Sequence, residues 1–570
     1  MNALLKKYFG YEKFRPMQEE IINHVIKGKD SLVLMPTGAG KSLCYQIPAL
    51  KFDGLTLVIS PLISLMKDQV DGLKTNGINA EFINSSLSEE EIINIKRKVQ
   101  KNEVKILYIA PERFALEDFK IFLATLQISL IAIDEAHCIS EWGHDFRPDY
   151  RNLKFLKTIF PDVPIIALTA TATEKVREDI LLQLYLNDPK VFVSSFNREN
   201  LKLIVMEKKN TFNKILSLLE KHKNESAIIY CFSRKDSERI AQELREKGFN
   251  ALPYHAGLDN ETRKRNQELF IKDKVDIIVA TIAFGMGIDK PDVRIIIHHT
   301  FSKSLEGYYQ EIGRAGRDGL SSDCVLFYSK GDKRKHEFFI KEILDESVKN
   351  NSMNKLNEII NFCEGNSCRR KYILNYFGED FTEDNCKGCD ICLGIPVGDI
   401  NQKTIFEQRE KSEYNKELFE KLRTLRKELS DKRNVPPYII FNDVALQEMA
   451  IYFPKNNAEF LKIKGVGQQK LNDFGEMFLK KINDFIQENN IHTKEKVEFQ
   501  SDYHQRIKEI KEDFPNAYAP WSTEEDYLLE TLYSKNRSVD EIASILKRQP
   551  SAIRARLGKF EEVWKNSKIL

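Results

Sequence analysis

The sequence predicts an α/β protein: two tandem parallel-sheet lobes, then a helical segment carrying a cysteine cluster, then small all-α domains. Three observations lead there. Short apolar runs alternate with helical patterns over residues 30–330. The runs form two sets, divided near Ser194-Ser-Phe-Asn-Arg-Glu-Asn-Leu201. Five of the nine cysteines crowd into residues 363–392.

The first set is 31–35, 56–60, 106–110, 130–134 and 165–169; the second is 227–232, 276–281, 293–299 and 324–329. Runs this apolar, with helices between them, read as strands buried on both faces of a parallel sheet. The expected boundaries are 1–197 and 198–335 for the lobes, 336–395 for the cysteine segment and 396–413 for a linker. A helical domain follows at 414–490, a charged linker at 491–518 and a short helical tail at 519–565. A chain of 570 residues with 42% hydrophobic and 30% charged residues has material for several cores. A net charge of +2 gives no bulk argument for nucleic acid, so that case rests on local sites. No apolar run nears the ~18 residues of a membrane span, and Met1-Asn-Ala-Leu-Leu lacks a signal-peptide core. The expectation is a soluble cytoplasmic protein with no membrane partner, nucleoid-associated if bacterial.

Met35-Pro-Thr-Gly-Ala-Gly-Lys-Ser42 follows an expected strand and opens a helix, the context of a phosphate-binding loop. Thr37, Gly38, Ala39 and Gly40 would cradle phosphate oxygens with backbone N–H groups. Lys41 would reach the β- and γ-phosphates and Ser42 would hold Mg²⁺. Met35 stands where the strict pattern has Gly. Asp134 and Glu135 end the run 130–134. Asp134 would join the Mg²⁺ shell, and Glu135 would orient or deprotonate the attacking water. In the second lobe, Gln310-Glu-Ile-Gly-Arg-Ala-Gly-Arg317 places Arg314 and Arg317 three apart. A guanidinium fork suits the charge that develops as a γ-phosphate leaves; Arg317 is the candidate finger, Arg314 its neighbour, and Gln310 an ATP contact.

Cys368, Cys386, Cys389 and Cys392 supply four thiolates at a spacing that suits a closed, structural Zn²⁺ site, with Cys363 left over as a buried thiol. Cys44, Cys138, Cys231 and Cys324 read as small buried residues. Leu418, Leu422, Leu425 and Leu429 mark one helical face, and Gly465-Val-Gly467 before a helix, flanked by Lys462, Lys464 and Lys470, could present N–H groups to a phosphate. In the tail, Ser522/Glu525 and Ser538/Glu541 are capping boxes and Pro550 starts a third helix. Ile542, Ile545, Leu546, Ile553 and Leu557 would form its core with Trp521 as anchor. Arg554, Arg556 and Lys559 form either a DNA-gripping face or a solvated basic one.

Taken in order, these motifs resemble the RecQ helicases. Residues 9–18 (FGYEKFRPMQ) look like that family's adenine-recognition segment. SPLISLMKDQ (60–69), APER (110–113), DEAH (134–137), ALTATAT (167–173), YCFSRK (230–235), YHAGL (254–258), ATIAFGMGIDKPDVR (280–294) and YYQEIGRAGRDG (308–319) follow. The resemblance covers about 1–395 and implies RecA-like lobes, with Tyr11, Arg15 and Gln18 holding adenine and Asp289 at the lobe interface. It further implies that Trp142, His144, Phe146 and Arg147 couple DNA binding to hydrolysis; their types suit base stacking and phosphate contact. The implied activity is ATP-driven 3′-to-5′ movement on single-stranded DNA and unwinding of partly duplex DNA in repair and recombination. ATP, Mg²⁺ and structural Zn²⁺ are the expected cofactors, and single-strand-binding and repair proteins the expected partners. The family's HRDC module is similar to 414–488. Only 21 residues, 393–413, precede it after Cys392, too few for a domain of about 50, so the family's winged helix is expected to be missing. A DNA-binding scaffold with a silent motor fits less well, because Lys41, Asp134, Glu135 and Arg317 are all present. An RNA helicase would share the motor motifs; the aromatic loop and cysteine cluster favour DNA.

Overall fold

The computed structural model describes residues 1–143, 146–281, 290–395, 414–489 and 491, and in the tail 515, 522–535, 537–548, 550, 552–553 and 556–557. Two compact units result, Met1–Ile491 and His492–Leu570.

The first lobe is a parallel sheet of β1 (Ser31–Leu34), β2 (Leu55–Ile59), β3 (Ala80–Ile83), β4 (Ile106–Ile109), β5 (Ile128–Ile133), β6 (Ile165–Thr169) and β7 (Lys190–Val193). Its order is β3-β4-β2-β5-β6-β1-β7. The second holds β8 (Leu201–Glu207), β9 (Ser226–Tyr230), β10 (Ala251–Tyr254), β11 (Ile277–Ala280), β12 (Val293–His298) and β13 (Ser322–Tyr328), in the order β10-β11-β9-β12-β13-β8. Each expected apolar run is a strand here. The pairings are parallel, as between β1 and β6, where Leu32 stands beside Ala167.

Four strands escape the apolar-run criterion: β3, β7, β8 and β10. They are the four sheet edges. An edge strand meets a neighbour on one side only and keeps polar positions: β3 and β10 each bury two residues of four and β7 one, Phe192, whereas β8 is apolar and buried over Leu203–Met206 and was passed over. The inner order β5-β6-β1 sets the C-terminal ends of β1 and β5 one strand apart. That is where a parallel sheet binds ligands.

After β13 come helices Lys330–Lys341, Glu346–Glu364 and Arg369–Tyr376, then the cysteine cluster. The cluster's backbone pairs with β8: Leu203 N–H donates to Gly388 O (2.8 Å), and Asp390 N–H to Leu203 O (3.0 Å). Arg369 is 2% exposed; it donates to both Asp390 carboxylate oxygens and to the Phe362 and Gly365 carbonyls.

Residues 416–488 form a helical module of Lys416–Arg433, Pro437–Ile440, Asp443–Tyr452, Asn457–Phe460 and Gln468–Glu488. Leu418, Leu422 and Leu429 face its core, with Leu425 packed at the edge. Asn415 caps the first helix through Leu418 N, and Asn434 ends it in the left-handed conformation (φ 55°).

The tail has helices Thr523–Ser534 and Val539–Leu546, and both expected capping boxes are formed. Leu529, Ile542, Ala543, Leu546, Ile553 and Leu557 make its core. Ile545 is 49% exposed, against expectation: Ile542 and Leu546 hold the inner stripe and leave Ile545 at its margin. Arg548 pairs with Glu525 and Arg556 with Asp526, so these cations brace the bundle. Trp521, Arg554 and Lys559 lie outside the described residues. Among the described residues no helix is long and apolar enough to cross a membrane.

Candidate active site

The turn after β1 depends on two glycines in the left-handed region, Gly38 (φ 83°) and Gly40 (φ 85°). A Cβ on Gly40 would stand 2.5 Å from Gln18 Nε2. Met35, the departure from the strict pattern, is 1% exposed, and its N–H donates to Thr169 O (3.1 Å). That position belongs to the core, where an apolar side chain fits. Lys41 Nζ donates to the carbonyls of Met35 (3.1 Å) and Pro36 (3.5 Å). Gln18 donates to Ala39 O (3.2 Å) and Gly40 O (3.0 Å), and Arg15 to Gly38 O. Both therefore brace the loop from behind, while Tyr11 lines the cleft, its phenol pKa pushed up by burial.

At the end of β5, Asp134 Oδ1 accepts Glu135 N–H (3.0 Å), and Tyr150 OH donates to Asp134 O (2.8 Å). Glu135 is left-handed (φ 48°, ψ 45°), a costly backbone state for a non-glycine residue that tends to persist at functional sites. Its Oε2 is 3.3 Å from His137 Nδ1, which is 2.8 Å from Thr169 Oγ1 at the end of β6.

Lys41, Ser42, Asp134 and Glu135 share one cleft of about 390 Å³ with Gln310, Arg314 and Arg317 of the second lobe, within the ordinary ligand-site range of about 300–1,000 Å³. The two arginine-bearing and phosphate-binding loops touch: a Cβ on Gly38 would be 3.1 Å from Arg317 Cα, and one on Gly313 3.3 Å from Thr37 Cβ. Arg314 is 5% exposed. Burial pushes its guanidinium pKa down, and Arg317 pushes it further the same way. An arriving anion would relieve both effects.

A third wall escaped the sequence reading apart from Lys470, which was expected beside a phosphate-facing loop. Tyr438, Ile439, Asn442 and Lys470 of the helical module line the same cleft. The module spans both lobes. Tyr438 OH donates to Asp68 (3.3 Å) on the first; Asp443 pairs with Arg294 (3.2 Å) and Lys427 donates to Asp273 O (2.6 Å) on the second. The loop 465–467 does not project toward a phosphate as expected. Gly465 N–H donates to Gly10 O (3.2 Å), and a Cβ on Gly467 would lie 2.9 Å from the Lys7 and Tyr8 carbonyls. Its glycines permit close backbone contact with the N-terminal segment instead. Lys464 pairs with Glu448 (3.0 Å). Lys470 stands partly buried in the wall, 5.7 Å from the Phe441 ring, and burial alone lowers its pKa to about 8.

In the aromatic loop, Trp142 is 37% exposed beneath the Lys175 ammonium, 3.0 Å from its ring centre. Lys355 of the helix Glu346–Glu364 donates to Trp142 O (3.0 Å). The Arg151 guanidinium lies 4.9 Å from the Phe146 ring, and Arg147 donates to Pro61 O (3.1 Å), joining this loop to 60–69. His144 and Asp289 fall outside the described residues.

The thiols of Cys368, Cys386, Cys389 and Cys392 lie within 4.8 Å of one another. Cys368 and Cys389 sulfurs are 3.9 Å apart, close to the roughly 3.8 Å that two ~2.3 Å Zn–S bonds subtend in a tetrahedron. The N–H groups of Cys386 and Cys392 point at the sulfurs of Cys392 and Cys389 (3.4 Å each), which favours thiolates. The donor set fits zinc. Cys363 is buried apart, as are Cys44, Cys138, Cys231 and Cys324.

Four family models match the chain: DEAD/DEAH box helicase over 15–180, helicase conserved C-terminal domain over 207–319, RecQ zinc-binding over 330–393 and HRDC domain over 415–482. The last two leave only 394–414 between them. The chain is 40% identical to the ATP-dependent DNA helicase RecQ of Haemophilus influenzae, over 85% of this chain and 95% of that one. It is 38% identical to the protein of the same name in Bacillus subtilis, over 84% and 98%. To the RecQ-like DNA helicase BLM of Xenopus laevis it is 44% identical, over 69% of this chain and 30% of that one.

Proposed function

The chain belongs to the RecQ family of ATP-dependent DNA helicases, and from that premise we propose how its own residues drive the motor. The observation that carries the proposal is the shared cleft, to which one lobe brings Lys41, Ser42, Asp134 and Glu135 and the other Gln310, Arg314 and Arg317. Thr37, Gly38, Ala39 and Gly40 cradle the phosphates, Lys41 holds the β- and γ-oxygens, and Tyr11, Arg15 and Gln18 hold adenine, Arg15 and Gln18 also bonding the loop. Ser42 and Asp134 are hard oxygen donors in the cleft and would hold Mg²⁺, which supplies charge neutralisation on the phosphates when bound. Glu135 orients the attacking water and takes its proton. Arg317, with Arg314 beside it, meets the charge growing on the departing γ-phosphate. Because those charges come from opposite lobes, hydrolysis loosens the cleft, and the lobes shift their grip on a single strand.

Trp142, Phe146 and Arg147, with His144 in the same loop, are the proposed DNA-coupling residues. Cys368, Cys386, Cys389 and Cys392 would hold structural Zn²⁺. Translocation runs 3′ to 5′ on single-stranded and partly duplex DNA, in the cytoplasm and, in a bacterial source, at the nucleoid, with single-strand-binding and repair proteins as partners. The proposed division is 1–197 and 198–335 for the lobes, 336–395 for the zinc segment, 414–490 for the HRDC module and 519–565 for the tail. The test is unwinding of a duplex with a 3′ overhang against one with a 5′ overhang, with Lys41→Ala as control. ATP-dependent unwinding of the 3′ substrate alone, lost in the variant, is expected; preference for the 5′ overhang, or full activity of Lys41→Ala, overturns the reading.

A further inference from the structure

The connector between the lobes carries Arg198, partly buried. Its guanidinium donates to four peptide carbonyls and, among the described residues, pairs with no carboxylate. Nη1 donates to Thr37 O in the phosphate loop and to Gly313 O (3.3 Å); Nη2 donates to Ala315 O (2.9 Å) and Gly316 O (2.9 Å). One planar fork thus holds the first lobe by one carbonyl and the backbone around Arg314 and Arg317 by three. That backbone needs outside support, because Gly316 is left-handed (φ 52°) and the helix Leu305–Ile312 has already ended. Asn200 adds a bond to Gly316 O (2.9 Å).

The connector is gripped from its far side by the zinc segment. Arg370, two residues after Cys368, donates to Asn197 Oδ1 (2.8 Å), Arg198 O (2.6 Å) and Leu201 O (2.7 Å). Phe196 stacks on Phe377 (4.8 Å, 16°), and Tyr309 OH donates to Phe196 O (2.7 Å). A lysine at 198 would be a point donor without the spread to reach carbonyls on both sides. With no donor at 198, the Thr37, Gly313 and Ala315 carbonyls would lose the guanidinium they share, while Gly316 O would keep Asn200 and Gly319 N–H.

We propose that Arg198 is a positioning residue: it fixes 313–317 against the phosphate loop, so that Arg314 and Arg317 are aimed at the γ-phosphate when the lobes close. This deepens the finger assignment above and rests on it. A residue that only aims the finger matters when charge develops on the γ-phosphate and hardly at all for ground-state nucleotide.

The experiment compares full-length wild type, Arg198→Ala, Arg198→Lys, Arg317→Ala and the double variant Arg198→Ala/Arg317→Ala, in Mg²⁺, for binding of ADP and of ADP with aluminium fluoride, and for DNA-stimulated ATPase. For Arg198→Ala, ADP affinity should stay within about twofold, while ADP–aluminium fluoride affinity and kcat fall at least about tenfold and KM moves little. Arg198→Lys should fall between, and the double variant should bind no more weakly than Arg317→Ala. The proposal is overturned if Arg198→Ala keeps ADP–aluminium fluoride binding while Arg317→Ala loses it. Parallel loss of ADP binding in Arg198→Ala overturns it too, as that marks collapse of the phosphate loop. Additive single effects would do the same. Intact ADP–aluminium fluoride binding in Arg317→Ala would instead remove the finger assignment, and the proposal with it.

Discussion

Lys470→Met tests whether the HRDC module takes part in nucleotide binding. The amine lines the cleft and is held near pKa 8, against an ordinary 10.5, by burial. Keeping it charged at pH 7 costs at most about 3.5 kcal/mol, and roughly 1–2 kcal/mol once its residual exposure is allowed for. Below pH 8 both folded and unfolded chains hold the proton, so the full penalty applies. Between 8 and 10.5 the unfolded chain holds a proton that the folded one lacks, and wild-type stability rises with pH. Lys470→Met should therefore stabilise the nucleotide-free protein at pH 7, by a margin that shrinks toward pH 10. If the amine meets a phosphate oxygen, the same variant should weaken ATP binding about tenfold at pH 7. That loss should fade above pH 8, where wild type sheds the charge itself. Titrating a fluorescent ATP analogue at pH 7 and pH 9.5, with urea unfolding at both, reads all of this. Wild-type affinity in the variant at pH 7, or a loss equal at both pH values, refutes the reasoning.

Three further outcomes are expected. Trp142→Ala should keep basal ATPase and lose most DNA stimulation, about tenfold or more if one base stacks on the ring; unchanged stimulation would remove Trp142 from the coupling role. Asp443→Asn weakens a carboxylate shared by Arg294 (3.2 Å) and Arg426 (2.9 Å), at a cost of about 1.5–3 kcal/mol because Arg294 keeps Asp318. Amide exchange at Gly465 should quicken as the module loosens from Gly10, and undiminished protection there would contradict the bridging role. Cys368→Ser should bring zinc content, by elemental analysis, well below one ion per chain; a full complement would mean that this thiolate is not a ligand.

How far the fold was legible followed burial. The inner strands announced themselves because both faces are covered. β3, β7 and β10 did not, since half or more of each of those edge strands answers to water or to a loop; β8 was passed over although Leu203–Met206 is apolar and buried. Lys41, Asp134, Glu135, Arg314 and Arg317 were legible because each sits in a motif whose residue types and context declare the chemistry. Tyr438 and Asn442 carry no such motif, and Lys470 was noted only beside the glycines 465–467; only folding brings the three to a cleft built around residue 41. Residues 465–467 show the opposite hazard. Two glycines before a helix suit close approach to a phosphate or to another backbone, and here the backbone of residues 7–10 takes the place.

The pairing of Leu203 with Gly388 and Asp390 has a consequence for how the protein would fail. β8 is an outer strand of its sheet, and the cysteine-bearing turn covers part of its outer rim. Unpaired strand rims are templates on which another chain can add. Stripping the metal would therefore uncover a sticky border as well as slacken a fold, and self-association would be among the first signs of damage.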